Sequence, residues 1–311
     1  ISSTMTITAD KAVTITANYS EGQRMINVSD GALTLAGASQ ENKITLAAGI
    51  VTTNIINLQS GKTNSLVLTN VHLAGNVDST TTYSSQHGLN SDGDNDQITA
   101  TNVTITNVKG SGIRISKSGT VAKLDNVNIS GAGIQGIHTV GTVEIYNTQD
   151  PSNALSISDI SATKDGEGNG IDVKTGGNVV SMLTDVPEGV CPIKIENTAG
   201  SGILVRNGVL NITNVSINNA ACGLNLFIAG ADATVQNANI TNAQTAVETI
   251  ADTTLTVENV SVDTCDRSKV SIAGTINGEI TYLEHTEVID EAVAATCTAT
   301  GLTEGKHCSV C

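Results

Sequence analysis

The chain has 311 residues, enough for one large domain with a small appendage, and it carries a formal net charge of −15. This acidic balance argues against nucleic acid or an anionic membrane surface as a partner, because like charges repel. No apolar run reaches the roughly 18 residues that a membrane-spanning helix needs, so we expect no membrane insertion.

The first segments alternate apolar and polar residues, which is the pattern of short β-strands. They are VTITAN (13–18), LTLAG (33–37), ITLAAG (44–49) and IINLQSG (55–61). We interpret them as the less regular first coils of a repeat structure. Because the strand pattern is already under way at Ile1, we also expect the chain to be part of a larger multidomain protein.

Two markers then recur along the chain. A strand headed by an amide comes first, as in NVTI (102–105), NVNI (126–129) and NVSI (214–217), and a Gly-Ile-type pair follows nine to eleven residues later. The basic period is about 23 residues, shorter than a strand-helix-strand unit of roughly 30 or more residues. The pairs are Gly88-Leu89, Gly112-Ile113, Gly136-Ile137, Gly170-Ile171, Gly202-Ile203, Gly223-Leu224 and Ala246-Val247.

One repeat cannot bury its apolar face alone, so the repeats must stack on each other. In a coil of short parallel strands, equivalent residues lie about 4.8 Å apart along the axis. An Asn at a bend can then donate to one neighbouring copy and accept from the other, while Gly suits sharp corners because it reaches positive φ. The pattern therefore predicts an all-β fold, a right-handed parallel β-helix over residues 1–281, with an antiparallel β-sandwich as the alternative.

The Asn-Val-x-Ile and Gly-x-Gly-Ile pattern, clearest from about Ser65 to Cys265, resembles the repeats of pectate-lyase-like β-helix proteins. The resemblance implies binding of acidic polysaccharide along one face. In that family lyases use a Lys or Arg base, often with calcium, and hydrolases use paired aspartates. The polygalacturonase motifs are incomplete here: RISK (114–117) is a near miss, His87-Gly88 lacks a preceding Gly, and no Asp-Asp pair occurs.

Alignment on the Gly-Ile pair places Arg114, His138 and Asp172 at one outward position of successive coils, about 5 Å apart. We take these three as candidate catalytic residues, with a solvated strand face as the alternative. Further candidates for ligand binding are Tyr83 and His87, in an insertion beside this face, and Lys174 and Arg206 on the face itself.

The same insertion contains Asp92, Asp94 and Asp96 at alternate positions. Carboxylates are preferred ligands of Ca²⁺, so this run is a candidate calcium loop. It departs from the EF-hand pattern, because Gln97 stands where that pattern needs Gly. A plain polar loop is the alternative.

The repeats end near Tyr282, and the residues that follow are rich in Ala and in acidic side chains. Residues 282–311 resemble a truncated spacer module of large secreted surface proteins of Gram-positive anaerobes. The four candidate zinc ligands in this module are His285, Cys297, Cys308 and Cys311, with a disulfide or free thiols as alternatives and His307 as a competing nitrogen. The other cysteines, at 191, 222 and 265, are expected to be buried and unpaired, with a bridge between coils as the alternative.

Two functions are consistent with these patterns. The first is a non-catalytic segment of a secreted or cell-surface bacterial protein, a stalk or adhesin that presents loops to a glycan or a host protein. The second is a polysaccharide lyase or glycosidase acting on an acidic polysaccharide. We favour the first from the sequence, because a fold resemblance alone carries no chemistry and the catalytic motifs are incomplete.

Overall fold

A computed structural model describes residues 1–18, 22–76, 78–79, 86–162, 164–284, 286–296, 298 and 300–309. Within these residues the chain winds into a right-handed parallel β-helix, as the repeats predict. Every strand pairing within the helix is parallel, from β1 (Thr4–Ala9) to β24 (Ile280–Tyr282), which excludes the antiparallel sandwich.

Three parallel sheets run along the axis of the helix, and their strands follow one another in each coil. Sheet 1 contains β1, β4 (Ala32–Gly37), β13 (Thr142–Tyr146), β16 (Asn178–Ser181) and β23 (Thr275–Asn277). Sheet 2 contains β2 (Val13–Thr16), β5 (Ile44–Ala47), β14 (Leu155–Ile160) and β24. Sheet 3 contains β3 (Ile26–Val28), β6 (Ile56–Leu58), β8 (Leu89–Ser91), β10 (Ile113–Ile115), β12 (Gln135–Thr139), β15 (Asn169–Val173), β20 (Thr245–Thr249) and β22 (Val270–Ile272).

The longer strands bend around a corner and belong to more than one sheet. Sheets 1 and 2 share β7 (Ser65–Ala74), β9 (Gln97–Thr106), β11 (Val121–Ser130), β19 (Asp232–Thr241) and β21 (Thr254–Val262). Sheets 2 and 3 share β17 (Ile193–Arg206), and β18 (Val209–Ile228) passes through all three. A 3₁₀ turn at Arg267–Lys269 precedes β22.

The core is a set of aliphatic stacks. In sheet 3, Ile113, Ile137, Ile171 and Ile203 pair in register on successive coils, and each is at most 1% exposed. Such stacks remove apolar surface from water without any ring that would force the coils apart. These stacks fix the register of each coil. They therefore also fix which residues, immediately before and after each stacked residue, point outward.

The glycines of the Gly-Ile pair serve close packing rather than positive φ. A Cβ on Gly136 would lie 2.5 Å from a methyl group of Ile157 and 2.6 Å from the carbonyl oxygen of Gly170. Gly88, Gly112, Gly170, Gly202 and Gly223 meet the next coil in the same way, and none of them has a positive φ. The expectation that these glycines supply corners is therefore wrong for the motif, although it holds at turns such as Gly131.

The corners are made mainly by asparagines in the left-handed region. Between sheets 1 and 2, the Asn102 side chain donates to Asn70 (Nδ2 to Oδ1, 3.1 Å) and accepts from Asn126 (2.8 Å). After sheet 2, a second ladder runs from Asn219 through Asn197 to Asp159, with 2.9 Å hydrogen bonds. Asn tolerates positive φ, and its amide satisfies donors and acceptors along the axis, as the repeat pattern predicts.

After β24 the pattern of pairing changes. The strands β25 (Glu287–Asp290) and β26 (Gly305–Cys308) form an antiparallel pair with no partner in the helix sheets among the described residues. No helix in the described ranges is both long and apolar enough to cross a membrane.

Candidate functional site

The outward positions of sheet 3 form a continuous surface, which we call the sheet-3 face. Its members occupy one registered column: Asn57, Asn90, Arg114, His138, Asp172, Leu204, Asn225 and Glu248. Arg114, His138 and Asp172 therefore lie on successive coils about 4.8 Å apart, as the alignment on the Gly-Ile pair predicts. Lys174 lies two positions after Asp172, and Arg206 lies two positions after Leu204.

Arg114 lies at the polar end of this face. Its Nη1 donates to Asn90 Oδ1 (2.8 Å) and to Asp92 Oδ1 (2.9 Å). Burial by itself would raise the pKa of Asp92, but the Asn90 amide and the Arg114 guanidinium hold that pKa below its ordinary value. The ion pair with Asp92 and the bond to Asn90 fix the direction of the Arg114 side chain, which remains about one third exposed.

Amides extend this polar end toward the first coils. Asn90 donates to Asn57 and Asn57 donates to Asn27, which gives a ladder of side-chain amides on the face. A depression of about 700 Å³ lies over this ladder and is lined also by Gln23, Arg24 and His87. Its lining is mostly polar, which suits a hydroxylated or charged ligand.

His138 is the titratable group next to Arg114. Burial lowers its pKa to about 3, and the nearby charges of Lys174, Arg114 and Arg206 act in the same direction. The imidazole is therefore neutral at ordinary pH and keeps a free lone pair on one ring nitrogen. Neither ring nitrogen has a hydrogen-bond partner within the residues that the structure describes.

His87 lines a second cavity of about 320 Å³ together with Arg114 and His138. Its side chain is buried, and its Nδ1 accepts a hydrogen bond from the backbone N–H of Ser111 (2.9 Å). The acceptor role of Nδ1 places the proton of a neutral imidazole on Nε2. Tyr83, the other candidate from the insertion, lies outside the described residues.

Asp172 is the charged residue that is most deeply placed on the face, with no exposed side-chain surface. Lys174 Nζ lies 3.0 Å from its Oδ2, and Arg206 Nε lies 3.2 Å from its Oδ1. Two cations thus share one carboxylate, which leaves one positive charge without an acidic partner in this group. Lys174 and Arg206 are 28% and 18% exposed, so both remain accessible at the surface.

Beyond Asp172 the face becomes partly apolar. Leu204 occupies the next position of the column, and Phe227, the single Phe of the chain, is half exposed beside it. The guanidinium carbon of Arg206 lies 5.3 Å from the centre of the Phe227 ring. Alignment on the Gly-Ile pair places Phe227 at the position of Arg206 on the next coil, but the sequence does not show that its ring is exposed beside the surplus cation.

The three aspartates of the candidate calcium loop have separate partners. Asp92 pairs with Arg114, and Asp94 with Lys117 at 3.7 Å. Asp96 is buried, and its oxygens accept hydrogen bonds from the Asn64 side chain and backbone and from Ser91. No cluster of three potential metal ligands occurs among the described residues. The arrangement gives Asp96 a structural role in closing the turn, and calcium binding stays a prediction.

Of the four candidate zinc ligands in the tail, only Cys308 belongs to the described residues; His285, Cys297 and Cys311 lie outside them. Cys308 Sγ lies 3.6 Å from Cys265 Sγ of the last coil. His307, the competing nitrogen, contacts Asp290 at 2.9 Å. Zinc binding and the division at residue 282 therefore stay predictions.

The remaining cysteines divide into two kinds. Cys191 and Cys222 are free thiols, as expected, but only Cys222 is buried, whereas Cys191 is partly exposed. Burial raises the pKa of both thiols. Cys265 is disulfide-bonded, so the expectation of an unpaired thiol is wrong at that position. Its place beside the tail, rather than within the rows of the core, is what the repeat pattern alone does not reveal.

Comparison with known proteins gives fold-level similarity alone. No family model and no curated protein matches the chain. It is similar to the structure of an alginate lyase from Paenibacillus sp. str. FPU-7, with 16% identity, a TM-score of 0.36, and coverage of 90% of this chain and 100% of that one. It is also similar to the catalytic domain of a GH87 alpha-1,3-glucanase (13%, 0.34, 91% and 63%) and to the periplasmic alginate epimerase AlgG (9%, 0.22, 83% and 74%). These values are too low to transfer any activity to this chain.

Proposed function

We propose that the sheet-3 face binds an acidic polysaccharide through the carboxylates of its uronate units. The observation that supports this is the surplus positive charge of Lys174 and Arg206 over the single buried Asp172. Because the whole chain carries a net charge of −15, a cationic surplus at one exposed place is a local feature and not a general property of the surface. In this role the buried Asp172 offsets one of the two positive charges and leaves the other for the ligand.

The neighbouring groups suit a sugar rather than a bare anion. The amide ladder of Asn27, Asn57 and Asn90 presents hydrogen-bonding side chains on the same face, beginning about 14 Å along the axis from the coil of Asp172, and the depression over it is open and polar. Phe227 supplies an exposed ring on which the C–H groups of a pyranose can pack. A face of this kind recognises both the charge and the hydroxyl groups of a uronate chain.

A second candidate function is β-elimination on the bound polymer. The imidazole of His138 favours it, because burial lowers its pKa to about 3 and so keeps it neutral, and because it has no hydrogen-bond partner within the described part of the chain. In that reaction a base takes the C5 proton of a uronate, the C4–O bond breaks, a C4–C5 double bond forms, and the departing oxygen takes up a proton. His138 has the free lone pair of a base. A uronate carboxylate on Lys174 and Arg206 offsets the charges that lower the pKa of His138 and so makes it a stronger base.

Hydrolysis by paired carboxylates fits the face less well. Such enzymes place their two carboxyl groups about 5 to 10 Å apart. Asp172 lies three coils from the coil of Asp92 and three coils from Glu248, which is about 14 Å along the axis in each direction. Asp172 is also fully enclosed by its own chain.

The proposal also covers binding of the polysaccharide without cleavage, which would give the protein a role at a surface. A β-helix that holds a glycan but does not cleave it would act as a stalk or adhesin of a secreted or cell-surface protein. The same residues support both forms, because Lys174 and Arg206 are needed for binding and only His138 is specific to cleavage.

The test combines a binding measurement with a product assay. We expect polygalacturonate or alginate oligosaccharides to bind the purified chain, and the double variant Lys174→Ala/Arg206→Ala to bind about tenfold or more weakly. The matched control is Lys123→Ala/Lys194→Ala, which removes two cations from the outward faces of sheets 1 and 2. Equal losses in both double variants, or no binding of any acidic polymer, would contradict the proposal.

The product assay follows the conjugated double bond and new reducing ends. Unsaturated products from the native chain that disappear in His138→Ala, with binding retained, would establish β-elimination. Binding with no product would leave the surface role.

A further inference from the structure

A cavity of about 400 Å³ lies on the sheet-3 face beyond Asp172 and adjoins the two cations, because Arg206 forms part of its lining. It is bounded on one side by the turn at residues 164–167 and on the other by the face itself. Its other lining residues include Leu204, Cys222, Asn225, Phe227 and Glu248. Asn225, on the far side of the cavity, lies about 10 Å along the axis from Asp172, because it is two coils further on.

Asn225 has an unsatisfied acceptor in this cavity. Its side chain is 9% exposed, and its Nδ2 donates to Glu248 Oε2 at 3.2 Å. That bond directs Oδ1 away from Glu248, and this buried oxygen has no hydrogen-bond partner. A buried polar atom without a partner costs about 1–3 kcal/mol, so such atoms are rare outside sites that a ligand completes.

The equivalent position five coils earlier shows the contrast. Asn90 stands in the same column, and its Oδ1 accepts a hydrogen bond from Arg114 while its Nδ2 donates to Asn57. An asparagine on this face can therefore be fully satisfied by its neighbours. At Asn225 the neighbour on the preceding coil is Leu204, which offers no donor.

The lining defines the class of ligand. Asn225 Oδ1 and the carboxylate of Glu248 are acceptors that a ligand hydroxyl can satisfy, whereas the Arg206 guanidinium already donates to Asp172 and to the backbone oxygen of Gly166. Leu204 and the half-exposed Phe227 form an apolar wall. Burial raises the pKa of the Cys222 thiol to about 12, and the thiol contacts the backbone oxygen of Leu224 (3.5 Å), which leaves it an inert part of that wall.

We propose that this cavity binds a neutral pyranose unit, with its C–H face on Phe227 and Leu204 and a hydroxyl donating to Asn225 Oδ1. Glu248 repels a uronate carboxylate from the cavity and accepts a second hydroxyl. A further consequence rests on the proposed function: with a uronate on Lys174 and Arg206 two coils away, the polymer that fills the whole face contains both acidic and neutral units.

The experiment titrates the purified chain with neutral oligosaccharides built of glucose, galactose, mannose or xylose, and in parallel with their amino-sugar counterparts and with uronate oligosaccharides. We expect at least one neutral series to bind the native chain. Asn225→Leu keeps the size of the side chain and removes the acceptor, so it should weaken that binding about tenfold. Glu248→Gln, at an exposed position, should weaken it by a smaller factor.

The matched control is Asn211→Leu, the same substitution at an exposed position of sheet 1, which should bind neutral sugars like the native chain. Neutral binding that is unaffected by both Asn225→Leu and Glu248→Gln would overturn the proposal. Preference for amino sugars over neutral ones, or no binding of any neutral series, would also overturn it. Asn225→Leu and Glu248→Gln leave Lys174 and Arg206 in place, so a loss of neutral-sugar binding with uronate binding retained distinguishes this proposal from the proposed function.

Discussion

The corner between sheets 1 and 2 and the outward face of sheet 3 are built on the same coils but follow opposite rules. At the corner the same residue returns on successive coils, as Asn70, Asn102 and Asn126, and each amide is satisfied by the next. On the sheet-3 face, beyond the amide ladder that ends at Asn90, the residue changes from Arg114 to His138 to Asp172 over the same rise.

Within one repeat, the positions that stabilise the fold therefore differ from the positions that are available for binding. Repetition lets identical groups satisfy each other along the axis, so the corner needs no external partner. Variation leaves groups that their neighbours do not complete, such as the His138 imidazole and Asn225 Oδ1. The repeated positions should therefore respond to substitution in stability, and the varied ones mainly in binding.

The largest effect is expected at a repeated glycine. Gly136→Ala places a methyl group 2.6 Å from the backbone oxygen of Gly170 and 2.5 Å from Ile157, and the backbone cannot yield without moving a coil. We expect a loss of about 3 kcal/mol in the free energy of unfolding, measured by urea denaturation. Gly305→Ala, where no atom lies within 4 Å of the new Cβ, is the control. Equal free energies of unfolding for the two variants would contradict the structural role of the repeated glycine.

A varied position should give a mixed result. Asp172→Asn removes the buried carboxylate and leaves Lys174 and Arg206 without their shared partner, at a cost of about 2 kcal/mol, because both cations remain partly solvated. The freed charge should at the same time increase affinity for uronate oligosaccharides. Asp94→Asn, which removes an exposed carboxylate, should change neither quantity appreciably. Weaker uronate binding by Asp172→Asn would contradict the proposed role of the two cations.

The Asn corner contributes to stability in two ways, through its hydrogen bonds and through its tolerance of positive φ, and two substitutions separate them. Asn102→Ala loses the ladder hydrogen bonds and also places a Cβ-bearing residue without a capping amide at φ 53°, for a loss of about 1.5 kcal/mol. Asn102→Gly loses the hydrogen bonds alone and should fall between Ala and the native chain in thermal unfolding. If Gly is no better than Ala, backbone conformation is not part of the explanation.

The smallest effect is the pH dependence contributed by His138. Its pKa is about 3 in the folded chain and about 6.5 in the unfolded chain, so the unfolded state takes up the proton first as the pH falls. This contribution to stability is complete above pH 6.5 and is lost progressively from there to about pH 3. Between pH 7 and 5.5 the native chain should lose about 1 kcal/mol more than His138→Asn. Parallel stability curves for the two proteins would contradict a buried neutral imidazole.

Much of the fold can be predicted from the sequence, because the spacing within a repeat shows which residues lie next to each other on successive coils. The constant offset between the Asn-headed strand and the Gly-Ile pair predicts the coils, and counting from the pair places Arg114, His138 and Asp172 in one column. The reason for the glycine does not follow, since close contact with the next coil is a property of the stack and not of the segment. The surplus charge also does not follow, because the sequence cannot show that Lys174 and Arg206 both turn toward Asp172.

The most direct test of the division between repeated and varied positions is hydroxyl-radical footprinting of the chain with and without a saturating uronate oligosaccharide. We expect protection of His138 and Phe227 on the sheet-3 face, while Met182, an exposed residue after sheet 1, stays equally reactive. Protection of Met182 or of the Asn corners, with His138 and Phe227 unchanged, would contradict it and place the ligand elsewhere on the helix.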